Sequence, residues 1–290
     1  MVPRPLPALR SCLLGCCLIF LAAAASAEPP PTPQGYDGAE AYAYREGENA
    51  MLLHIVKPEG WKPGDKRSAL VHFFGGGWVK GSPDKSIGWA RSLAKRGMVG
   101  IAPDYRVKDR FGTTPYEAVA DARAAFRWVQ ENAEKLGIDP GRIAVSGSSA
   151  GGHLALWTAI AHSPYGSSPE EAPLGPPAAL ILFSPVSNTS KDLGYAAKRF
   201  GENGLSVSSI DQLDPQMPPL LLFHGDADTV VPQAQSIALD AKYRATGNQC
   251  QFVSIPGGSH SFSSDLPEWK TKSRALMNAF LEQQTLLPAQ

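Results

Sequence analysis

Short apolar runs alternating with stretches of helical periodicity predict a doubly wound α/β domain, with a mostly parallel sheet and helices on both faces. Three observations carry this. The runs at 50–56, 69–74, 98–102, 143–146, 179–183, 220–223 and 252–255 are nearly continuous rather than alternating, as strands buried on both faces must be. Between them, Val119, Ala122, Phe126, Val129, Ala133 and Leu136 recur at spacings of three and four, which lines one face of a helix. Finally, a glycine-rich turn at 147–152 stands between one apolar run and the next apolar helical stretch.

Before the first of these elements comes a leader. Arg4 and Arg10 precede an apolar run from Cys12 to Ala25, and Ala25-Ser26-Ala27 supplies the small residues of a cleavage site, so residues 1–27 read as a secretory signal cut after Ala27. The apolar run is shorter than the roughly 20 residues a spanning helix needs. Leu13-Leu14-Gly15-Cys16 loosely resembles a lipoprotein signal, but Leu14 fits that pattern poorly and few apolar residues precede Cys16. With the leader go Cys12, Cys16 and Cys17. Only Cys250 is left, so no internal disulfide is expected, and a core must supply the stability.

The remaining chain, 28–290, suffices for one large domain. Proline and glycine dominate 28–38, which reads as an extended leader segment ahead of a domain over 39–290. Losing Arg4 and Arg10 leaves a slight excess of acid over base. That balance gives no electrostatic ground for nucleic acid or an anionic membrane as partner.

The first strands, near 41–56, are expected to pair antiparallel. Ser82-Pro83 opens a helix that Gly97 ends. The long helix has marked limits: Thr114 caps it, Pro115 takes its first position, Glu117 completes a capping box, and Gly137 suits its exit. After R-I-A-V-S, residues Gly147, Ser149 and Gly151 match G-x-S-x-G, and helix resumes at Leu154–Ala161. The glycines permit a turn tight enough to raise Ser149 at the carboxyl edge of the sheet. Ser146 and Ser148 are near it but off the central position.

A serine hydroxyl needs a base, and six histidines are available. His54 lies in an early strand, while His72 and His224 fall in or at the end of buried strands, where a hydrogen-bonded core histidine is expected. His153 lies one turn beyond Ser149, and His162 ends that helix. His260 differs, because G-G-S-H-S-F places it in a loop after the last strand, at the same edge as Ser149. A base in turn needs a carboxylate on its far nitrogen. H-G-D-A-D-T-V-V-P offers Asp226 and Asp228, and spacing alone does not choose between them.

With Ser149, an aspartate and His260 in that order, the chain resembles the α/β-hydrolase fold. The resemblance is to its esterase branch, which holds hormone-sensitive-lipase-like and acetylxylan or feruloyl esterases. A-P-D-Y-R (102–106), D-A-R-A-A-F-R-W-V (121–129), G-S-S-A-G-G-H-L-A, H-G-D-A-D and the histidine loop carry it, from about Tyr42 to the C-terminal helix. The resemblance implies Asp228 as the acid, with Asp226 supporting its loop. It also implies that the amides of Gly76, Gly77 and Ala150 form an oxyanion hole, since the family's H-G-G-G-[FW] aligns with Phe74-Gly75-Gly76-Gly77-Trp78. The family histidine thus falls on Phe74, which is expected to pack the loop apolarly. His72, two residues upstream and expected on the same side as Phe74, reads as structural.

These readings imply an exported serine carboxylic ester hydrolase that works through an acyl-enzyme with no metal or organic cofactor. The segment 184–219, where this fold inserts a lid, is charged and only moderately apolar, which suits short acetyl-like esters, including those of polysaccharides. A serine peptidase of the same fold and a non-catalytic binding module are the other classes to weigh.

Overall fold

The computed structural model describes residues 1, 34–47, 50–161, 172–190, 197–200 and 207–288. The signal read over 1–27, residues 28–33 of the leader segment, His162 and parts of the lid segment lie outside the described residues, Met1 excepted. Among the described residues no helix is long and apolar enough to cross a membrane.

Among the described residues eight strands form one sheet: β1 (Glu40–Arg45), β2 (Met51–Val56), β3 (Arg67–Phe73), β4 (Val99–Pro103), β5 (Ile138–Ser148), β6 (Ala179–Phe183), β7 (Leu220–Gly225) and β8 (Cys250–Ile255). The helices are α1 (Ile87–Ala94), α2 (Lys108–Phe111), α3 (Pro115–Glu131), α4 (Ala150–Ala159), α5 (Ala197–Phe200), α6 (Ala234–Ala245), α7 (Phe262–Asp265) and α8 (Pro267–Gln283). Strand order is β1-β2-β4-β3-β5-β6-β7-β8. β1 and β2 pair antiparallel, as does β2 with β4, and all later pairs are parallel.

Every apolar run became a strand because both faces of the sheet are covered. Val71, Val145, Leu180, Leu182, Leu220 and Leu222 pack with residues of α3, α4 and α6. Leu70, Ala144, Ile181, Leu221 and Phe223 face the other way, toward Leu93 of α1 and Met277, Phe280 and Leu281 of α8. The capping box at Thr114 forms as its residue types dictate, with Pro115 at the first helical position. The helix is shorter than its periodicity suggested. It ends at Glu131, and turns carry the chain to Gly137, whose φ of 64° makes the exit into β5. The helix expected from Ser82 to Gly97 is split into a 3₁₀ turn over Pro83–Lys85 and α1.

β3 lies between β4 and β5, so the chain leaves it in one direction and returns on the other side. A crevice opens at the carboxyl ends of strands at such a switch point, and loops there can converge on one ligand.

Candidate active site

At the end of β5 the chain turns directly into α4, with Ser149 between them at φ 55° and ψ −121°. This conformation is strained for a side-chain-bearing residue, by about 1–3 kcal/mol. Packing holds it there. The Ser149 amide donates to the Phe183 carbonyl at 2.9 Å, and its own carbonyl accepts from Gly152 at 3.0 Å and His153 at 3.2 Å. The glycines around it are demanded by close approach: a Cβ at Gly147 would stand 2.1 Å from the Gly151 carbonyl oxygen, and one at Gly151 would stand 2.2 Å from that of Phe73. Thus β3, β5 and α4 meet nearly backbone to backbone beneath Ser149.

The glycine loop after β3 lies alongside. A Cβ at Gly75 would lie 3.2 Å from that of Ser149, and one at Gly76 would lie 1.7 Å from the Lys80 carbonyl oxygen. Among the described residues the amides of Gly76, Gly77 and Ala150 donate no hydrogen bond. Gly76 and Gly77 line the cleft that holds Ser149, and Ala150 follows Ser149 as the first residue of α4.

Phe74 steadies this loop apolarly, through a residue the sequence reading left without a role. Its ring stacks on Tyr105 at 4.0 Å, and the Tyr105 hydroxyl donates to the Phe74 carbonyl at 2.7 Å. Tyr105 belongs to A-P-D-Y-R, whose Arg106 clasps Asp121 of D-A-R-A-A-F through both carboxylate oxygens, at 2.8 and 2.7 Å. Two of the motifs that carry the resemblance are therefore one connected support.

The expectation that His72 shares a side with Phe74 is wrong. His72 lies on the opposite layer, stacked on Trp89 of α1 at 5.3 Å and edge-on to Phe183 at 6.5 Å. The reason is that β3 stops at Phe73, so strict alternation no longer places Phe74. His72 Nδ1 meets the Ser146 hydroxyl at 3.0 Å, and burial pushes the imidazole pKa down to about 3. Its ring nevertheless helps line the cleft.

At the other end of the cleft, β7 and β8 deliver two loops. His260 Nδ1 lies 2.7 Å from Asp228 Oδ2, while Asp226 Oδ1 accepts from the Gly257 amide at 2.7 Å. The structure therefore brings Asp228 to the histidine and leaves Asp226 tying its loop to the one before His260. Burial works against a charged Asp228, but hydrogen bonds from His224, His260 and the Val231 amide outweigh it and hold the carboxyl well below the usual range.

Of the other histidines, His153 and Trp157 both donate to the Val207 carbonyl, at 2.8 and 3.1 Å, and burial holds His153 at about 4. His54, in β2, has no hydrogen-bond partner at either ring nitrogen among the described residues, and Tyr36 packs edge-on against it at 4.7 Å. Burial keeps it neutral, with its pKa pushed down to about 4.

The cleft measures about 490 Å³ and unites Ser149, His260, Gly76 and Gly77 with Trp89, Phe183 and Phe262. Of the lid segment, Arg199 on α5 donates to the Gly77 carbonyl at 2.9 Å, and Phe200 packs edge-on against Trp78 at 4.9 Å. No group of side chains suited to a metal ion is found among the described residues.

Residues 70–214 match the family described as alpha/beta hydrolase fold. The chain belongs to this family. Residues 186–289 also match the dienelactone hydrolase family. The chain is 30% identical over 243 residues to an ethyl acetate hydrolase of Pseudomonas putida, a match covering 75% of this chain and 73% of the relative. It is 27% identical over 237 residues to the esterase LipQ of Mycobacterium tuberculosis, covering 76% of this chain and 56% of that protein. It thus spans little more than half of that relative's length. Among solved structures, the apo form of esterase 2 from Thermogutta terrifontis superposes with a TM-score of 0.80 at 36% identity, covering 90% of this chain and 99% of the other.

Proposed function

We propose that the chain is a serine carboxylic ester hydrolase that works through an acyl-enzyme. The observation that carries this is the His260–Asp228 contact of 2.7 Å at the cleft that also holds Ser149 on its strained turn. In this reading Ser149 Oγ attacks the ester carbonyl carbon while His260 Nε2 takes its proton. Asp228 fixes the tautomer of His260 and stabilises its cation. The amides of Gly76, Gly77 and Ala150, the last at the positive end of α4, donate to the carbonyl oxygen as negative charge develops on it. Collapse breaks the bond to the alcohol, which leaves with the proton from His260. Water then repeats the sequence to release the acid and restore Ser149.

Short acyl groups are the preferred substrates in this reading. Trp89, Phe183 and Phe262 offer a compact apolar wall, and the thermophilic esterase was solved with propionate and with butyrate bound. A second cleft of about 420 Å³ shares Trp89, Ser263 and Ser264 with the first, which gives room for a larger, hydroxylated alcohol such as a sugar. In this reading the leader over residues 1–27 directs export of the enzyme as a secreted or periplasmic protein. Sequencing the N-terminus of exported protein tests that placement, and a start at Glu28 is expected.

The function is tested by turnover of nitrophenyl acetate, butyrate and octanoate, acetylated xylan and a peptide anilide. Efficiency should fall beyond about four carbons, since each buried methylene is worth only about 0.8 kcal/mol. The anilide should remain intact. Ser149→Ala should lower turnover by about 10⁶-fold, the scale seen in an unrelated serine hydrolase. Paraoxon, which phosphorylates the Thermogutta esterase, should label the wild type once and spare this variant. Full activity in folded Ser149→Ala protein would end this reading. A preference for octanoate would end the short-acyl assignment.

A further inference from the structure

The strand-end motif H-G-D-A-D supplies a second imidazole that the proposed chemistry leaves idle. His224, wholly buried at the end of β7, points Nε2 at Asp228 Oδ2 from 3.0 Å. This is the same oxygen that His260 meets at 2.7 Å. Nε2 also faces the Val231 carbonyl at 2.9 Å. Both neighbours are acceptors, so Nε2 carries the proton and shares it between them. On the other side of the ring, Nδ1 lies 2.6 Å from the hydroxyl of Ser236, a buried residue of α6. With Nε2 protonated, the hydroxyl donates to Nδ1. The other carboxylate oxygen, Oδ1, accepts from the amides of Val230 at 2.8 Å and Val231 at 2.9 Å.

We infer that His224 is a positioning residue for the reaction: it fixes the rotation of Asp228 so that Oδ2 faces His260. The inference rests on the acyl-transfer reading and names a further part of the same site. Its physical basis is the torsion that aims an aspartate carboxylate. This sp³–sp² rotation is broad and roughly two-fold, so the side chain has no strong preference of its own for where an oxygen points. The two amides hold Oδ1 from the loop. Oδ2 is left to the two imidazoles, and His224 is the one that is not the base. Ser236 then sets the ring's tautomer and anchors it to α6. Ser236, His224, Asp228 and His260 thus form one hydrogen-bonded row from helix to cleft. A histidine present only to fill the core would need no donor aimed at the oxygen that the base uses.

The test compares nitrophenyl acetate turnover by wild type, His224→Phe, His224→Gln and Ser236→Ala, per folded molecule as counted by thermal unfolding. In His224→Phe, kcat should fall about 10- to 100-fold with KM within about twofold, the scale on which misplaced supporting groups act. His224→Gln offers an amide N–H near the position of Nε2 and should recover most of that loss. Ser236→Ala should lower kcat a few-fold, again at constant KM, and it serves as the deciding variant if His224→Phe does not fold. Wild-type kcat in folded His224→Phe, or in Ser236→Ala where the former does not fold, would overturn the inference. So would a loss that glutamine leaves unrepaired. Ser149→Ala and Asp228→Asn run beside them separate the two levels: if either keeps full activity, the acyl-transfer reading itself has failed. If both are inactive and the His224 variants are not, only the positioning role is lost.

Discussion

The two ends of the cleft are built from different materials. At β3 and β5 the structure is made of backbone: glycines 75–77, 147 and 151 let main chains pass where a single Cβ would stand 1.7 to 2.8 Å from a carbonyl oxygen, or in the case of Gly77 2.3 Å from Arg199. At β7 and β8 it is made of side chains, where Asp228, His224 and His260 are joined by hydrogen bonds of 2.7 and 3.0 Å. Backbone groups hold their aim without rotamer freedom but tolerate no added volume. Side chains adapt to substitution, yet each must be held by its neighbours. The glycine end should therefore fail by steric displacement, and the histidine end by loss of aim or charge.

The largest effect that distinguishes these modes is expected at the side-chain end. Asp228→Asn should lower kcat by about 10⁴-fold at little loss of stability, as the same change does in the triad of an unrelated fold. Asp226→Asn, whose side chain meets the Gly257 amide, should stay within a few-fold of wild type. Equal losses in the two variants, measured at equal folded concentration, would show that the loop and not the carboxylate matters.

At the backbone end, Gly76→Ala is expected to lower turnover by roughly 10²-fold through one displaced donor. Its melting temperature should fall as well, because the new Cβ meets the Lys80 carbonyl. Gly77→Ala first meets the far end of the Arg199 side chain, at 2.3 Å, and should be the milder of the two in stability. If both variants melt like wild type, the loop is softer than its contacts imply.

The smallest effect on catalysis, and the one that isolates stability, belongs to His72. Burial holds its pKa down to about 3, so the folded protein refuses a proton that the unfolded chain accepts below about pH 6.5. Stability from the neutral ring is complete above that pH and is lost as pH falls toward 3. Each such histidine adds a slope of about 1.4 kcal/mol per pH unit inside its window. His54 and His153, held at about 4, contribute in the same direction. His72→Phe should reduce the slope of unfolding free energy between pH 6 and 4 by about one histidine's share and leave turnover per folded molecule near wild type. An unchanged slope would show that the ring is protonated in the fold. A folded but inactive variant would bring His72 into the chemistry, beside the cleft it lines.

Local features of the chain foretold much of this architecture. Apolar runs and caps depend on residues a few positions apart, so the eight-stranded sheet's parallel part, the Thr114 capping box and the glycine turn at Ser149 were all legible in sequence. So was the arrival of His260 at the same edge as Ser149, because every parallel strand delivers its following loop to one side. What required register between distant strands was not legible. Only the pairing of β7 with β8 places Asp228 rather than Asp226 against a ring 32 residues later. Only the early end of β3 puts His72 and Phe74 on opposite layers, against Trp89 and Tyr105. His224 was read as a core histidine because its strand position says no more than that. Its bond to Asp228 arises where β7, its loop and α6 close on one another, and such a closure is a property of three-dimensional packing that no local pattern encodes.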